Sequence, residues 1–175
     1  MKVPQGIYRI ESLAGHHDRA TFTCGVEALD RYLRQQAGQD ARQRAASVYL
    51  AVHIPTGTVA GYFTLSSASV ELVALPSSLA RSLPKYSSLP AILLGRLAVS
   101  QQHRGLGLGE HLLLEALSQS LKSSRSVASL AVIVGAKDEA ARAFYARYGF
   151  IPLPAVPLRL VLPMETIQGL FKEPS

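Results

Sequence analysis

The sequence has a single cysteine and no apolar run long enough to cross a membrane. Cys24 cannot form a disulfide within the chain, which suits a reducing compartment. Gly, Pro or charged residues interrupt the longest apolar runs well before the roughly 18 residues that a membrane span requires. The first residues also lack the charged-then-apolar pattern of a secretory signal. We therefore expect a cytoplasmic protein that does not associate with membranes.

The share of charged residues is low, at 17%, while hydrophobic residues make up 48% of the 175 positions. That balance is typical of a folded globular chain. The length suits one domain over residues 1–175. The formal net charge of +6 favours either a polyanionic partner or ordinary solubility, and composition alone does not choose between them.

Residues 95–121 run from a strand through a glycine-rich turn into a helix. Gly105, Gly107 and Gly109 alternate with other residues, so the main chain can adopt positive φ and a ligand can approach it closely. The first N–H groups of the following helix have no partner within the helix, and they favour an anion together with the helix dipole. Arg104 adds a full positive charge. The turn therefore predicts a phosphate or pyrophosphate site.

Two common phosphate-binding patterns do not fit this turn. A dinucleotide-binding fold has its glycine turn after the first strand and an acidic residue about 20 residues later. Here the turn follows more than half of the chain, and the next strand, residues 128–134, has no acid. A Walker loop needs Gly-Lys-Ser/Thr, which does not follow the turn. We therefore expect a ligand other than NAD or ATP.

Two motifs resemble those of the GCN5-related N-acetyltransferases, the GNAT family. Residues 102–107, QHRGLG, match the Gln/Arg-x-x-Gly-x-Gly/Ala signature for acetyl-CoA, and residues 140–150, AARAFYARYGF, resemble the A-x-x-FY-x-x-x-GF ending. The motifs occur in the family's order with one strand between them. Within the family, residues 22–37, residues 95–109 and the late apolar strand resemble the toxins that acetylate aminoacyl-tRNA in toxin–antitoxin pairs.

The resemblance implies an α/β fold in which a mixed, mostly antiparallel sheet, splayed where acetyl-CoA enters, is flanked by helices. Hydrophobic patterning in the sequence agrees with such a fold. The predicted strands are residues 7–13, 47–54, 59–70, 91–99, 128–134 and 158–162. The predicted helices are residues 26–37, 78–83, the segment after the glycine turn, and 137–148.

The resemblance also implies direct attack of an amine on the thioester of acetyl-CoA, with no covalent enzyme intermediate. The expected cofactor-binding residues are Leu97, Ala98, Val99, Arg104, Gly105, Leu106, Gly107, Leu108 and Gly109. Tyr145 matches the tyrosine of the family's FY pair and would protonate the departing thiolate. Its reference pKa near 10 keeps it protonated at neutral pH.

No carboxylate is well placed as a general base. Glu71 is the only acid between Asp40 and Glu110, and a solvent contact at the end of a strand is the more common role for such a residue. A lysine amine, with a pKa of about 10.4, must lose a proton before it attacks, whereas an α-amino group, with a pKa of about 7.7–8.0, is already partly neutral. The sequence therefore favours an α-amino acceptor.

Basic residues in several segments are candidates for acceptor contacts. Arg81 and Lys85 lie in the Pro- and Ser-rich residues 75–90, and Arg96 precedes the turn. A further basic cluster comprises Arg31, Arg34, Arg42 and Arg44. His16 and His17 are adjacent, but without a third ligand nearby they are expected to be polar loop residues, so no metal site is predicted.

These observations predict an acetyl-CoA-dependent N-acetyltransferase of the toxin type that acts on aminoacyl-tRNA. The resemblance implies a ribbon-helix-helix antitoxin as a partner, and a homodimer. One alternative is an enzyme that acetylates a small amine or a protein N-terminus. Another is a catalytically silent CoA-binding module.

Overall fold

The structure is a computed structural model that describes residues 6–172. In these residues the strands are β1 Tyr8–Ser12, β2 Ser47–His53, β3 Thr58–Glu71, β4 Ser88–Val99, β5 Ala131–Gly135, β6 Ile151–Pro152 and β7 Arg159–Pro163. The α-helices are α1 Glu27–Arg31, α2 Ala37–Gln43, α3 Ser77–Ala80, α4 Leu108–Ser126, α5 Glu139–Ala146 and α6 Met164–Leu170. A π-helical segment, Tyr32–Gln36, joins α1 to α2, and 3-10 turns form at Leu72–Ala74 and Gln101–His103.

The strands form one sheet in the order β1-β2-β3-β4-β5-β7-β6. The β1–β2, β2–β3, β5–β7 and β6–β7 pairs are antiparallel, and the β4–β5 pair is parallel. This confirms the predicted mixed sheet with flanking helices. The β4–β5 register runs from Ala91 opposite Ala131 to Leu94 opposite Val134, while β4 itself continues to Val99.

By its internal packing the chain divides into two compact units. The first comprises Met1–Ser66 and Gly95–Ala116, and the second comprises Ser67–Leu94 and Leu117–Ser175. Strands β3 and β4 and helix α4 contribute residues to both. A single domain over residues 1–175 stays a prediction.

Each unit has its own apolar core. In the first unit Leu33, Leu50 and Tyr62 are fully buried. In the second, Ile133 and Val161 belong to a core that also takes in the inner residues of β4. Burying one such side chain contributes about 1.5–3 kcal/mol of transfer free energy. Residues 131–134 of β5 are all buried, as the all-apolar sequence of that strand predicts.

The sequence placed most elements within a few residues but mispredicted the segment after residue 37. The predicted helix ends at residue 37, yet α2 continues the helix to Gln43. The π-helical turn in front of it was also missed. Arg44 ends α2 with a left-handed backbone, at φ 60°, which is a common way for a helix to end.

Other differences concern element ends. β4 begins at Ser88 instead of residue 91, and α5 is shorter than predicted because Asp138 caps it by accepting a hydrogen bond from the Ala141 N–H at 2.8 Å. β6 and α6 were not predicted. Across residues 6–172, no helix has both the length and the apolar character that crossing a bilayer requires.

Candidate active site

The turn before α4 has the main-chain geometry that its glycines predict. Gly105 and Gly107 have φ values of 74° and 82°, a region that residues with a Cβ rarely adopt. The Gly107 carbonyl accepts the first helical hydrogen bond, from the His111 N–H at 3.1 Å. Leu108 is 1% exposed and anchors the start of the helix. The N–H groups of the first turn of α4 therefore have no partner within the helix and suit an anion.

A second segment, Thr23–Gly25, fixes the position of the turn through hydrogen bonds. The Arg104 guanidinium donates a hydrogen bond to the Cys24 carbonyl, and the Gln101 N–H donates to the Thr23 carbonyl at 2.9 Å. A Cβ on Gly25 would lie 2.9 Å from both Arg104 Nη2 and Gln101 Nε2. Gly25 also has a φ of 89°. A larger residue at position 25 would therefore push against the turn.

Asp30 fixes the segment that holds the turn. Its carboxylate accepts hydrogen bonds from the Cys24 N–H at 2.7 Å and from Thr23 Oγ1 at 3.2 Å. Burial alone would raise the pKa of Asp30, but the hydrogen bonds from Cys24 and Thr23 outweigh burial and lower the pKa. Cys24 itself is buried, as expected for a structural cysteine.

A ring cluster supports the other side of the turn. The Tyr8 hydroxyl and His103 Nδ1 are hydrogen-bonded at 2.8 Å, and the ring centroids of His53 and His103 are 4.9 Å apart. Burial, and then the neighbouring His53, lower the pKa of His103. The sequence analysis missed this cluster, because His103 occupies a variable position of the motif and its partners come from distant strands.

Strand β4 approaches β3 closely at the residues expected to bind pantetheine. A Cβ on Gly61 would lie 2.8 Å from the Ala98 carbonyl oxygen and 2.9 Å from Leu112 Cδ1. The Ser100 N–H donates to the Ala60 carbonyl at 2.8 Å. The lack of a side chain at Gly61 therefore allows the two backbones to approach closely. This approach fixes the position of Leu97–Val99.

Tyr145 lies on α5 in the second unit and is 8% exposed. Its ring packs edge-on against Phe144, with centroids 5.2 Å apart, and against Phe150 at 5.5 Å. Burial raises the pKa of Tyr145 to about 12. The phenol therefore stays protonated at neutral pH and can donate a proton. Its pairing with the glycine turn stays a prediction.

The predicted acceptor residues fall into two groups. Arg81 is exposed directly after α3, and the Lys85 ammonium donates to the Ala80 carbonyl at 2.7 Å and to the Arg81 carbonyl at 3.3 Å. Lys85 therefore caps the end of α3. Arg96 belongs to the first unit, where its guanidinium lies 3.5 Å from the centroid of the Tyr32 ring. Glu71 is exposed at the end of β3, as expected for a solvent contact.

Arg96 and Tyr32 line a pocket of about 330 Å³ in the first unit. The other lining residues are Ala28, Leu29, Arg31, Gln35 and Gln36. The Tyr32 hydroxyl donates to Asp40 at 2.8 Å, and Gln36 donates to the same carboxylate at 2.9 Å. Burial, and then the Asp40 hydrogen bond, raise the pKa of Tyr32 to about 12. The guanidinium of Arg96 thus lines the pocket beside Tyr32 and Gln36, whose side chains are held by hydrogen bonds to Asp40.

The arginines of the predicted basic cluster differ in their local contacts. Arg34 donates to the Phe22 carbonyl at 3.1 Å, which is a structural contact. Arg31 lies 3.7 Å from Glu27 in an exposed ion pair. Arg42 lies in α2, and Arg44 ends that helix. Local contacts therefore occupy at least two of the four arginines.

A glycine turn that presents N–H groups at the start of a helix, on a mixed sheet, is suited to the pyrophosphate of a ligand such as an acyl-CoA. The acetyltransferase (GNAT) domain family matches residues 44–152, which include both the turn and Tyr145. The chain belongs to the GNAT family. It is an N-acetyltransferase with acetyl-CoA as its co-substrate.

Within the family the chain is similar to toxins that act on tRNA. It is 35% identical to a tRNA-acetylating toxin of Mycobacterium tuberculosis, over 88% of this chain and 90% of that protein. The solved structure of AtaT complexed with acetyl-methionyl-tRNAfMet is 32% identical, with a TM-score of 0.87, and the match covers 94% of this chain and 99% of that one. A mutant AtaT toxin bound to acetyl-CoA and the C-terminus of the antitoxin AtaR is 28% identical, with a TM-score of 0.81, over 95% and 99% of the two chains.

Proposed function

We propose that this protein transfers the acetyl group of acetyl-CoA to the α-amino group of an aminoacyl-tRNA, as the toxin of a toxin–antitoxin pair. The observation that carries the proposal is its similarity, over nearly the whole of both chains, to the Mycobacterium tuberculosis toxin and to AtaT bound to an acetylated aminoacyl-tRNA. Glu71, the one acid between Asp40 and Glu110, is exposed at the end of β3, which is consistent with an acceptor that is already partly neutral.

The main chain supplies most of the contacts to the donor in this proposal. The first N–H groups of α4 hold the pyrophosphate, at the turn formed by Arg104, Gly105, Leu106, Gly107, Leu108 and Gly109. The pantetheine arm pairs with Leu97, Ala98 and Val99. These residues come after Leu94, which is the last β4 residue in the described register with β5. The positive φ values of Gly105 and Gly107 support this assignment.

Tyr145 completes the transfer. The amine nitrogen attacks the thioester carbon, the C–S bond breaks, and the thiolate takes the phenolic proton of Tyr145. The support for this role is its match to the FY motif and the protonated state of the phenol at neutral pH. After the attack the acceptor nitrogen carries one proton more than the amide product, and it releases this proton to a group that is not identified.

Arg81, Lys85 and Arg96 contact the acceptor in this proposal. Arg81 is exposed and free to meet a phosphate, while Lys85 orders the same loop and adds charge. Arg96 supplies the cation of the pocket beside Tyr32. The net charge of +6 is consistent with a polyanionic acceptor.

The setting of the protein follows from its relatives. We propose that it acts in the cytoplasm, where charged tRNA is found, and that an antitoxin binds it, as AtaR binds AtaT. A ribbon-helix-helix fold for that antitoxin stays a prediction, and so does a homodimer of this chain.

The test is to incubate the protein with labelled acetyl-CoA and charged total tRNA and to identify acetylated aminoacyl ends by mass spectrometry. The tRNA affinity should fall with salt, because each phosphate contact adds roughly 0.7–0.9 to the slope of log affinity against log salt. Arg81→Gln should reduce that slope by about one contact. Arg125→Gln, which removes another exposed arginine of the second unit, should leave it unchanged.

Two results would overturn the proposal. One is acetylation of polyamines or peptides without any acetylated tRNA, which would favour the small-amine alternative. The other is acetyl-CoA binding without transfer to any amine, which would favour the silent module.

A further inference from the structure

Three potential metal ligands meet at the end of β1, away from the glycine turn. Glu11 lies on β1, and His16 and His17 lie in the loop that follows. One donor atom from each residue lies within 4.8 Å of the other two. The sequence analysis gave the two histidines no third ligand. The turn at Ala14–His17 supplies one, because it returns the chain toward Glu11.

His17 is oriented as metal-binding histidines commonly are. Its side chain is 5% exposed, and its Nδ1 lies 2.9 Å from the Ala14 nitrogen and 3.2 Å from the Ala14 oxygen. Both tautomers of the ring therefore find a main-chain partner. When Nδ1–H donates to the Ala14 carbonyl, Nε2 presents its lone pair away from that contact. In metal-binding histidines, the ring nitrogen that does not bind the metal commonly donates its N–H to a backbone carbonyl.

His17 Nε2 points at a carboxylate oxygen. The distance to Glu11 Oε1 is 3.1 Å, and the Glu11 side chain is 28% exposed. Two lone pairs at this distance attract only when a cation lies between or beside them, either the Nε2 proton or a metal ion. Ligands at about 2.0–2.2 Å in a tetrahedral site lie roughly 3.3–3.6 Å from each other. The Glu11 and His17 donor atoms, 3.1 Å apart, are slightly closer than that spacing.

His16 supplies the third ligand by a small movement. Its ring is tilted by 35° to that of His17, with centroids 4.1 Å apart, and the residue is exposed, so its side chain can rotate. One positive group competes for the same carboxylate. Arg9 Nη2 lies 3.5 Å from Glu11 Oε1, but its side chain is 58% exposed and can turn into solvent.

We propose that Glu11, His16 and His17 bind a divalent transition-metal ion of the Zn²⁺ class, with water in the remaining position. Two imidazoles and one carboxylate suit Zn²⁺, Ni²⁺ or Co²⁺ better than Mg²⁺ or Ca²⁺, which prefer oxygen ligands throughout. The ion links β1 to the loop that leads to Thr23–Gly25. It stabilises the folded chain because the unfolded chain does not hold the three ligands together.

The experiment uses full-length protein that has been treated with a chelator and dialysed. Calorimetry with ZnCl₂ should show one strong site per chain, and Zn²⁺ should raise the midpoint of thermal unfolding. Side-chain NMR of the histidines should show the His16 and His17 imidazole signals shifting on addition of Zn²⁺. The signals of His53 and His103, a close pair without a carboxylate in the cluster, should not move.

Variants identify the ligands. His17→Ala, His16→Ala and Glu11→Gln should each weaken Zn²⁺ binding at least tenfold. Asp18→Asn removes a negative charge from the same loop without removing a ligand and should bind Zn²⁺ as the parent does. His16 is exposed, so its variant tests the site even if His17→Ala unfolds the loop.

Absence of Zn²⁺ binding to the parent protein would overturn the proposal. Binding that survives both histidine substitutions would also overturn it. Neither readout depends on acetyl transfer, so the outcome is independent of the proposed function.

Discussion

In the turn from Arg104 to Gly109 the groups proposed to bind the ligand belong to the main chain, whereas in α5 the proposed reactive group is a single side-chain hydroxyl. The turn is largely exposed, and Thr23–Gly25 and the Tyr8–His103 contact hold it from outside. Tyr145 is buried, and Phe144 and Phe150 surround its ring. In the proposal, the first region binds through main-chain N–H groups, which nearly every residue has, and the second acts through a hydroxyl oxygen, which few residues have.

The two regions should therefore fail in opposite ways. A main-chain site is damaged when a side chain is added, because the added atoms block the N–H groups or forbid the positive φ. A side-chain site is damaged when one atom is removed, even if packing is kept. Substitutions that separate these two modes are the sharpest tests of the comparison.

The largest effect is expected from Tyr145→Phe. The ring keeps its contacts with Phe144 and Phe150, so folding and acetyl-CoA binding should survive. Turnover should fall about 10²–10⁴-fold, because proton transfer to the thiolate is lost. Tyr148→Phe removes a hydroxyl from the same end of the second unit and should change turnover little. Steady-state kinetics and calorimetry with acetyl-CoA measure both quantities.

The pH dependence of the parent enzyme tests the same assignment. An acid must be protonated to act, so on the alkaline side the rate should fall only as pH rises through the folded pKa of Tyr145, about 12. No alkaline loss should therefore be seen near pH 10, the reference value for an exposed tyrosine. On the acidic side the rate should fall as the α-amino group of the acceptor becomes protonated. A Tyr145→Phe enzyme with normal turnover would assign the proton to another group.

The second largest effect is expected from Gly107→Asp in the turn. Its φ of 82° is strained for aspartate, and the new carboxylate would repel a pyrophosphate. Acetyl-CoA affinity should fall at least tenfold, about 1.4 kcal/mol or more. Gly57→Asp is the matched control, because Gly57 also has a positive φ, of 71°, and open space around its Cβ position. It should lose similar stability but no acetyl-CoA affinity.

Equal affinity in a folded Gly107→Asp protein would show that the pyrophosphate does not lie at this turn. A loss of affinity in Gly57→Asp as well would assign the effect to general strain. A loss of acetyl-CoA affinity in Gly107→Asp but not in Gly57→Asp would support a main-chain site.

The sequence predicted the parts of the molecule that depend on local chemistry. Positive φ at Gly105 and Gly107 and the buried strand β5 each follow from residue types at short range. The family motifs identified Tyr145 as the candidate proton donor. They did not predict its raised pKa, because that depends on the burial of the ring, which no local pattern reports.

Contacts between distant segments could not be predicted. Arg104 reaches Cys24, 80 residues away in the chain, and Tyr8 reaches His103 across 95 residues. Glu11 joins His16 and His17 only because the chain turns back at Ala14. Lys85, predicted to face the acceptor, caps α3 because an ammonium placed after a helix satisfies its last carbonyls.

The smallest effect concerns the ring cluster beside the turn. Burial and His53 lower the pKa of His103, and burial raises the pKa of Tyr8, so the folded protein holds a neutral imidazole beside a protonated phenol. An unfolded histidine binds a proton near pH 6.5. Below that pH the unfolded state binds more protons at this position than the folded state does. Stability should therefore fall as pH drops from about 6.5 through the lower folded pKa of His103, and should level off below it.

His103→Asn tests this assignment, because asparagine can still accept a hydrogen bond from Tyr8 but does not titrate. Urea unfolding between about pH 5 and 8 should show a shallower pH dependence than in the parent, by at most one proton. His111→Asn, on α4 outside the cluster, should keep the parent's slope. Acetyl-CoA affinity at neutral pH should change only slightly in His103→Asn, because the first-turn N–H groups of α4 are unaltered. A large loss of acetyl-CoA affinity would mean that the His103 side chain contacts the ligand directly. The ligand would then not be held by main-chain groups alone, and His103 would be more than a support of the turn.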